Sequence, residues 1–145
     1  MSNTTTKING IYNESMLAWT AGIIDGEGSI LLVVHKKGET PSPRIDVTNT
    51  SLELINKLKS LYGGTIVKKK SYKSNHKQCY VWSLRFNNAI QLMTLILPHL
   101  VIPVKKFRAQ HIVSNYKKVI KRNGKYNDQQ VKELNNFINK FYSLS

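Results

Sequence analysis

The sequence predicts an α+β fold in which helices cover one face of a twisted, four-stranded antiparallel sheet. Strand-like segments occur in two pairs joined by short loops, which is typical of β-hairpins and hence of an antiparallel sheet. Helical patterns precede, separate and follow these pairs, so the order is α-β-β-α-β-β-α and then two more helices. Of the 145 residues, 41% are hydrophobic, which is enough for one packed core. We therefore expect a single domain over residues 1–145, with residues 1–12 as a flexible N-terminal segment.

The first helix is predicted from its capping residues. Asn13 or Ser15 is a suitable N-cap, because a short polar side chain can accept a hydrogen bond from the free backbone N–H groups of the first turn. The apolar pattern continues to about Asp25. Gly26 and Gly28 are then expected to end the helix and turn the chain into a strand.

Each pair of strands is predicted from alternation and from the loop between its members. Residues 29–37 and 44–48 flank the loop G-E-T-P-S-P, and residues 65–72 and 78–86 flank the turn K-S-N-H-K. Alternation predicts which side chains of the first hairpin face the helices. They are Ile30, Leu32, Val34, Ile45 and Val47.

The remaining helices are predicted from apolar periodicity and from breakers. A second helix spans about residues 51–62, with Gly63 and Gly64 after it. A third begins after Asn87 and stops at Pro98, and Pro103 lies near the start of a fourth. The fourth carries the apolar residues Phe107, Ile112, Val113 and Tyr116. The last runs from about Asp128 and docks through Val131, Leu134, Phe137, Ile138 and Phe141.

The charge of the chain predicts a polyanionic partner. Lysine and arginine number 22 against 8 acidic residues, which gives a net charge of +14, so nucleic acid is the leading candidate. No apolar run approaches the roughly 20 residues that span a bilayer, and no basic amphipathic helix suggests a membrane surface. The N-terminal segment M-S-N-T-T-T-K is polar and lacks the apolar core that a signal peptide would have. We expect a soluble intracellular protein, in an organelle or in an archaeal or bacterial cytoplasm.

Any metal ion in this protein is expected to have oxygen ligands. Cys79 is the single cysteine, and the four histidines lack the spacing of metal ligands. Carboxylate and carbonyl oxygens favour magnesium.

The segment W-T-A-G-I-I-D-G-E-G-S-I, which begins at Trp19, is the most informative part of the chain. It places two carboxylates at the negative end of a helix, where they are unfavourable, so they are expected to serve chemistry. Small residues also form a stripe on this helix, which would let a second helix approach closely. Because the segment occurs once, a homodimer with the two helices crossing on a two-fold axis satisfies the pattern. The predicted dimer interface consists of Ala18, Ala21, Gly22 and Asp25.

The segment T-A-G-I-I-D-G-E-G, Thr20 to Gly28, resembles the signature of the LAGLIDADG homing endonucleases. The resemblance implies the αββαββα fold of that family and a homodimer that cuts both strands of a long, pseudo-palindromic DNA site, leaving 3′ overhangs. It also implies intron homing and dependence on Mg²⁺, or on another divalent cation such as Mn²⁺ or Ca²⁺ in vitro.

The resemblance implies a set of active-site residues. Glu27 would be a metal ligand, and the backbone carbonyl of Gly26 would be the second protein ligand. Asn49, in V-T-N-T, resembles the amide that orients active-site water, although a turn or N-cap role before the second helix is equally open. V-K-K-F-R-A-Q resembles the family's loop with an active-site lysine, which makes Lys105 the candidate, or Lys106 if the register slips by one.

The sheet is expected to read base edges in the major groove through its outward side chains. Alternation selects these residues in three strands, whereas the run K-K-K in the third strand offers no contrast and the family resemblance guides the choice there, with Ile66 inward. The predicted DNA-contacting residues are Leu31, Val33, His35, Lys37, Ser42, Arg44, Asp46, Lys68, Lys70, Tyr72, Cys79, Val81, Ser83 and Arg85. Other basic residues are expected on phosphates, namely Lys69, Lys73, Lys77, Lys117, Lys118, Lys121, Arg122 and Lys125. A domain of this size covers roughly 11 base pairs, and a dimer about 22.

Two other functions share this fold and charge. An RNA-binding maturase would assist splicing of its intron, and intron RNA is therefore a second candidate partner. A non-catalytic DNA-binding relative is the other alternative. The acidic Glu27 and the candidate Lys105 favour cleavage, because a protein that only binds would need neither.

Overall fold

The computed structural model describes residues 12–34, 40–69, 77–121 and 124–143. Its elements follow the predicted order, which confirms the α+β fold class, and one turn of 3₁₀-helix, Leu97–His99, lies between the third and fourth α-helices. The predicted flexible segment lies outside the described residues except for Tyr12. The elements are α1 (Glu14–Glu27), β1 (Gly28–Val33), β2 (Ser42–Asn49), α2 (Leu52–Tyr62), β3 (Thr65–Lys69), β4 (Cys79–Arg85), α3 (Phe86–Ile96), α4 (Pro103–Val119) and α5 (Asp128–Ser143).

Helix α1 begins as predicted but ends two residues later. The Asn13 side chain accepts a hydrogen bond from the Met16 N–H over 2.7 Å, which confirms it as the N-cap. The expectation that Gly26 ends the helix is wrong, because the helix continues through Glu27 and Gly28 is the C-cap. A Cβ atom on Gly28 would lie 2.8 Å from the Ile24 Cα atom. Only glycine therefore lets the chain turn from α1 directly into β1.

The four strands form one antiparallel sheet in the order β1-β2-β4-β3. Both predicted hairpins are present, and β2 pairs with β4 to join them. We call the end where β1 starts, with Gly28 beside Val47, the proximal end of the sheet. The opposite end, where Arg44 pairs with Arg85 and Ser42 lies beside Val33, is the distal end.

The helices bury one face of the sheet, as expected. The inward residues Ile30, Leu32, Ile45 and Val47 are almost fully buried, together with Trp82 and Leu84 of β4. Val34 was expected inward, but it lies beyond the last paired residue of β1 and is exposed. The prediction that Val131 docks α5 is wrong, because Val131 is exposed. Phe107 of α4 is exposed as well, and the buried residues of α4 and α5 are Ala109, Ile112, Leu134, Phe137 and Phe141.

No helix in the described part of the chain is both long enough and apolar enough to cross a membrane.

Candidate active site and nucleic-acid interface

The carboxylate of Asp25 has partners within its own protomer. Its Oδ2 atom accepts the Val101 N–H over 2.9 Å, and its Oδ1 atom accepts the Ile102 N–H over 3.1 Å. Ile102 is the N-cap of α4, so the carboxylate lies at the positive end of that helix, which offsets its unfavourable place at the end of α1. Both carboxylate oxygens therefore connect α1 to α4, and the place of Asp25 in the dimer interface stays a prediction.

Lys105, in the first turn of α4, reaches back to the end of α1. Its Nζ atom donates hydrogen bonds to the carbonyl oxygens of Ile24 over 2.9 Å and of Asp25 over 2.6 Å. The last carbonyls of a helix have no partner within the helix and carry its negative pole, so a cation is favourable there. Lys106 is exposed. Of the two candidate lysines, Lys105 is the one that the fold holds beside the motif.

Glu27 is the final residue of α1 and is exposed. Unlike Asp25, its carboxylate has no hydrogen-bond or ion-pair partner in the described structure. The Gly26 carbonyl directly precedes it, and Lys105 occupies the two carbonyls before that. The end of α1 thus carries a free carboxylate two residues after a carbonyl that holds an ammonium group, and such groups can bind a hard cation and a phosphate.

The donor set fits magnesium better than a metal with a full protein cage. Across the described ranges, no cluster of three or more His, Cys, Asp or Glu side chains is present. Magnesium is commonly held by one or two carboxylates together with water and substrate phosphate oxygens. Glu27 and the Gly26 carbonyl are suitable for that kind of site, in which the substrate supplies further ligands.

Asn49 has a structural role at the proximal end. Its Oδ1 atom accepts the Ser51 N–H over 2.8 Å and so shapes the turn before α2. The turn interpretation is therefore confirmed. Its Nδ2 atom has no partner among the residues that the structure describes, and Asn49 lies two residues beyond the partner of Gly28, Val47. That amide group is free to bind water or phosphate.

One face of α1 carries an exposed stripe in which small residues surround one large side chain, that of Trp19, and we call it the α1 stripe. Its residues are spaced at i, i+3, i+4, i+7 and i+11, and they are Ser15, Ala18, Trp19, Gly22 and Gly26. A Cβ atom on Gly22 or Gly26 would meet nothing within 4 Å. The predicted interface residue Ala21 does not belong to it. Ala21 is 0% exposed because it faces the core with Leu17 and Ile24, so it cannot contact a partner.

The strand register defines the face of the sheet that points away from the helices, which we call the outer face. Residues opposite each other in antiparallel strands share a face, so the pairs beside Arg44, Asp46 and Cys79 identify it. Its predicted members are Leu31, Val33, Ser42, Arg44, Asp46, Cys79, Val81, Ser83 and Arg85. The pattern missed Ser29, Thr48, Thr65, Val67 and Lys69.

The third strand was assigned the wrong parity. Lys68 pairs with Tyr80 and shares the inner side of Ile66, whereas Lys69 pairs with Cys79 on the outer face. An inward Ile66 requires this result, because side chains alternate strictly along a strand. The other predicted contacts His35, Lys37, Lys70 and Tyr72 lie outside the described residues, as do Lys73 and Arg122.

The fold is shared with solved nucleases. No protein-family model matches the sequence, and no curated protein matches it either. The structure of the homing endonuclease I-CvuI, in complex with the I-CreI target, has a TM-score of 0.67 and 18% identity, and the match covers 91% of this chain and 83% of that one. For the LAGLIDADG homing endonuclease I-GzeII with its DNA target, the TM-score is 0.64, the identity 15%, and the match covers 89% of this chain and 44% of that one. A third homing endonuclease, I-TnaI, has a TM-score of 0.58 and 15% identity, with 88% and 84% covered.

The chain has the LAGLIDADG homing endonuclease fold. Within that fold, two serines of the outer face are nearly buried, so they are not available as direct contacts. Ser83 donates a hydrogen bond to Asp46 Oδ1 over 2.7 Å. Ser42 directly follows Thr40 and Pro41, which are hydrogen-bonded to the hydroxyl groups of Tyr126 and Tyr116. Arg44 Nε lies 3.1 Å from the same Asp46 oxygen. The half-buried Arg44 and Asp46 thus belong to one polar cluster on the two central strands, β2 and β4, towards the distal end of the sheet.

Proposed function

We propose that this protein is a sequence-specific endonuclease that binds double-stranded DNA as a homodimer and hydrolyses one phosphodiester bond in each strand, leaving 3′ overhangs. The observation that carries the proposal is the contrast between the two carboxylates of the motif. The Asp25 carboxylate is hydrogen-bonded within the fold, whereas the Glu27 carboxylate is exposed and unpartnered in the described structure. Lys105 binds the backbone carbonyl two residues before Glu27.

A divalent cation, Mg²⁺ or in vitro Mn²⁺ or Ca²⁺, would bind at Glu27 and the Gly26 carbonyl. A cation held by these two groups would supply Lewis-acid stabilisation of the charge that develops on the scissile phosphate and the leaving oxygen. The fixed Lys105 ammonium group would bind the phosphate and balance charge that develops on it. The free Nδ2 group of Asn49 would hold a water molecule near the attacked phosphorus. Structures of the similar I-CvuI include DNA complexes in the presence of Mg and of Ca.

The dimer proposal rests on the α1 stripe. Gly22 and Gly26 leave backbone exposed on a helix, where glycine is less favourable than alanine by about 1 kcal/mol. A second α1 helix packed at close distance would explain why glycine occupies both positions. The chain also matches most of I-CvuI and I-TnaI but only 44% of I-GzeII, which leaves room in the longer protein for a second domain of similar size. A dimer brings two copies of Glu27 to one DNA site.

The outer face and the net charge support DNA as the partner. Arg44 can donate two hydrogen bonds to guanine, and Asp46 can accept one from cytosine. Leu31 and Val33 offer apolar contacts for thymine methyl groups. The similar structures of I-CvuI and I-GzeII are themselves complexes with DNA targets.

The test is a selection from a library of long random duplexes. Wild-type protein with Mg²⁺ should cut a small set of sequences of about 22 base pairs with approximate two-fold symmetry, and EDTA should stop cutting. Glu27→Gln should reduce the cleavage rate at least ~10³-fold, since metal-based charge stabilisation contributes several kcal/mol, while binding is kept. Glu133→Gln, which changes an exposed carboxylate on α5, should cut like wild type.

The alternatives predict different outcomes of the same selection. A non-catalytic DNA-binding relative would enrich bound duplexes and cut none. A maturase would leave DNA uncut and bind its own intron RNA more tightly than any duplex. Either outcome would contradict the endonuclease proposal.

A further inference from the structure

Phe86 combines two unfavourable properties in the free protein. Its φ angle is 57°, and it is the only residue other than glycine with a positive φ in the described structure. Its side chain is also 60% exposed. A non-glycine residue in this region of backbone space is disfavoured, and such residues cluster where function needs them. Glycine would form the same turn without strain.

Among the described residues, no contact explains why phenylalanine occupies this position. The ring is absent from the hydrophobic core and from the partly buried side chains packed against it. It makes no stacked or edge contact with another aromatic ring in the described ranges. The described contacts therefore compensate neither the backbone strain nor the exposure of apolar surface. A partner that binds the ring would compensate both.

The ring lines a groove at the distal end of the sheet. The groove has a volume of about 460 Å³ and lies between the start of α3 and the end of α4, where Phe86, Asn87, Tyr116, Lys117 and Ile120 form its walls. Ligand sites typically span roughly 300–1,000 Å³, so a planar group the size of a nucleobase can enter. Tyr116 keeps this wall in place, because its hydroxyl donates to the Pro41 carbonyl oxygen over 2.7 Å.

The surroundings of the groove are basic. Arg85 precedes Phe86 and belongs to the outer face, while Lys117 lines the groove and Lys118 follows it at the end of α4. The sequence contains no acidic residue between Glu53 and Asp128. An anionic partner with flat apolar groups therefore matches this surface, and a nucleic acid has both.

We infer that Phe86 and this groove form a second DNA contact, beyond the distal end of the sheet. The ring packs against a base or deoxyribose of one nucleotide, and Arg85 and Lys117 contact the flanking phosphates. This inference rests on the proposed DNA-binding function. Six residues separate Phe86 from Tyr80 at the proximal end, or about 20 Å of strand, which corresponds to roughly six base pairs. The contact therefore lies in the outer part of each half-site.

The variant Phe86→Gly tests the inference, because a ring that supports the fold and a ring that contacts DNA predict opposite effects of its removal on thermal stability. Glycine removes the ring and relieves the strain, so the melting temperature should stay equal or rise. Affinity for the tightest duplex from the selection, measured with Ca²⁺ in place of Mg²⁺, should fall at least fivefold. Phe86→Tyr keeps an aromatic ring and should bind like wild type.

A shortened duplex provides the second arm. When the outer base pairs of both half-sites are removed, wild-type and Phe86→Gly proteins should bind with equal affinity, because the nucleotide that the ring contacts is gone. Unchanged affinity of Phe86→Gly for the full duplex would overturn the inference, and so would a large loss of thermal stability. A change in dimerisation without a change in DNA affinity would identify a second protomer as the occupant and would also overturn it. If wild-type protein binds no duplex, the proposed function itself fails.

Discussion

The two ends of the sheet use their side chains in different ways. At the proximal end, polar side chains hold the protein together: Asp25 and Lys105 connect α1 with α4, and Asn49 shapes a turn. At the distal end, the aromatic ring of Phe86 and basic side chains face outward around a groove. The fixed side chains of the proximal end suit the cleavage site that we propose there, and the exposed ring and basic side chains of the distal end suit the DNA contact that we infer.

The two carboxylates of the motif show the same division within three residues. Asp25 binds two backbone N–H groups, and Glu27 binds none. Removing Asp25 would therefore loosen the contact between α1 and α4, whereas removing Glu27 would leave the fold unchanged. The exposed carboxylate is the one that the fold leaves available for a ligand.

The first of three predictions about the two ends disturbs the proximal end, and its expected effect is the largest of the three. Lys105→Met should lower the cleavage rate about 100-fold or more, because removing one preorganised charge donor typically has this effect. DNA affinity should change little. Lys106→Met is the matched control, since this neighbour is exposed. Gel assays of single-turnover cleavage measure both. Equal cleavage rates for the two variants would show that Lys105 does not contribute to cleavage from its position at the end of α1.

The second prediction weakens the contact between the two α1 helices of the dimer and leaves the distal end intact. Gly22→Leu should weaken the dimer at least ~30-fold, since overpacking at both copies of the site by about 1 kcal/mol each gives this factor. The monomer should become more stable, because a Cβ atom there meets nothing within 4 Å and leucine favours the helix. Sedimentation equilibrium and thermal unfolding measure the two effects. Asn56→Leu, on the exposed side of α2, should leave dimerisation unchanged. A wild-type protein that stays monomeric on DNA would contradict the dimer.

The smallest prediction concerns the support of the distal end. Burial, followed by the nearby Tyr126, raises the pKa of Tyr116 to about 12. The neutral phenol is thus favoured in the folded state, so its contribution to stability is complete below pH about 10 and is lost as the pH rises to about 12. Tyr116→Phe should lower the free energy of unfolding by about 1 kcal/mol at pH 7, the value of a typical hydrogen bond. Denaturant titrations should also show a smaller loss of stability between pH 10 and 12 than in wild type. An identical loss in both proteins would exclude Tyr116 as a source.

Much of the fold could be predicted because local signals agree with the tertiary structure. Asn13 caps α1, Gly63 ends α2 with a positive φ, and alternation in β1, β2 and β4 sets the inner and outer faces correctly. Each of these features depends on a few neighbouring residues. Lys105 was selected through the sequence resemblance. In the structure it contacts Ile24 of the motif helix, although 81 residues separate the two along the chain.

The predictions that failed depended on contacts that the local sequence does not contain. Ala21 is as small as Ala18, and only the packing of α1 on the core decides which of the two is buried. Lysines on both sides of β3 removed the contrast that reveals parity. Phenylalanine has no preference for positive φ, so no sequence signal announced the backbone of Phe86.

The central claim is that each protomer supplies one Glu27 to a cleavage site. Wild-type and Glu27→Gln protomers carrying different affinity tags can be combined, and the mixed dimer can be purified through both tags. With Mg²⁺ and a supercoiled plasmid that contains the selected target, the account predicts that the wild-type dimer linearises the plasmid and the mixed dimer accumulates a nicked circle. Linearisation by the mixed dimer at the wild-type rate would contradict the claim, because cleavage of the second strand would then not require Glu27.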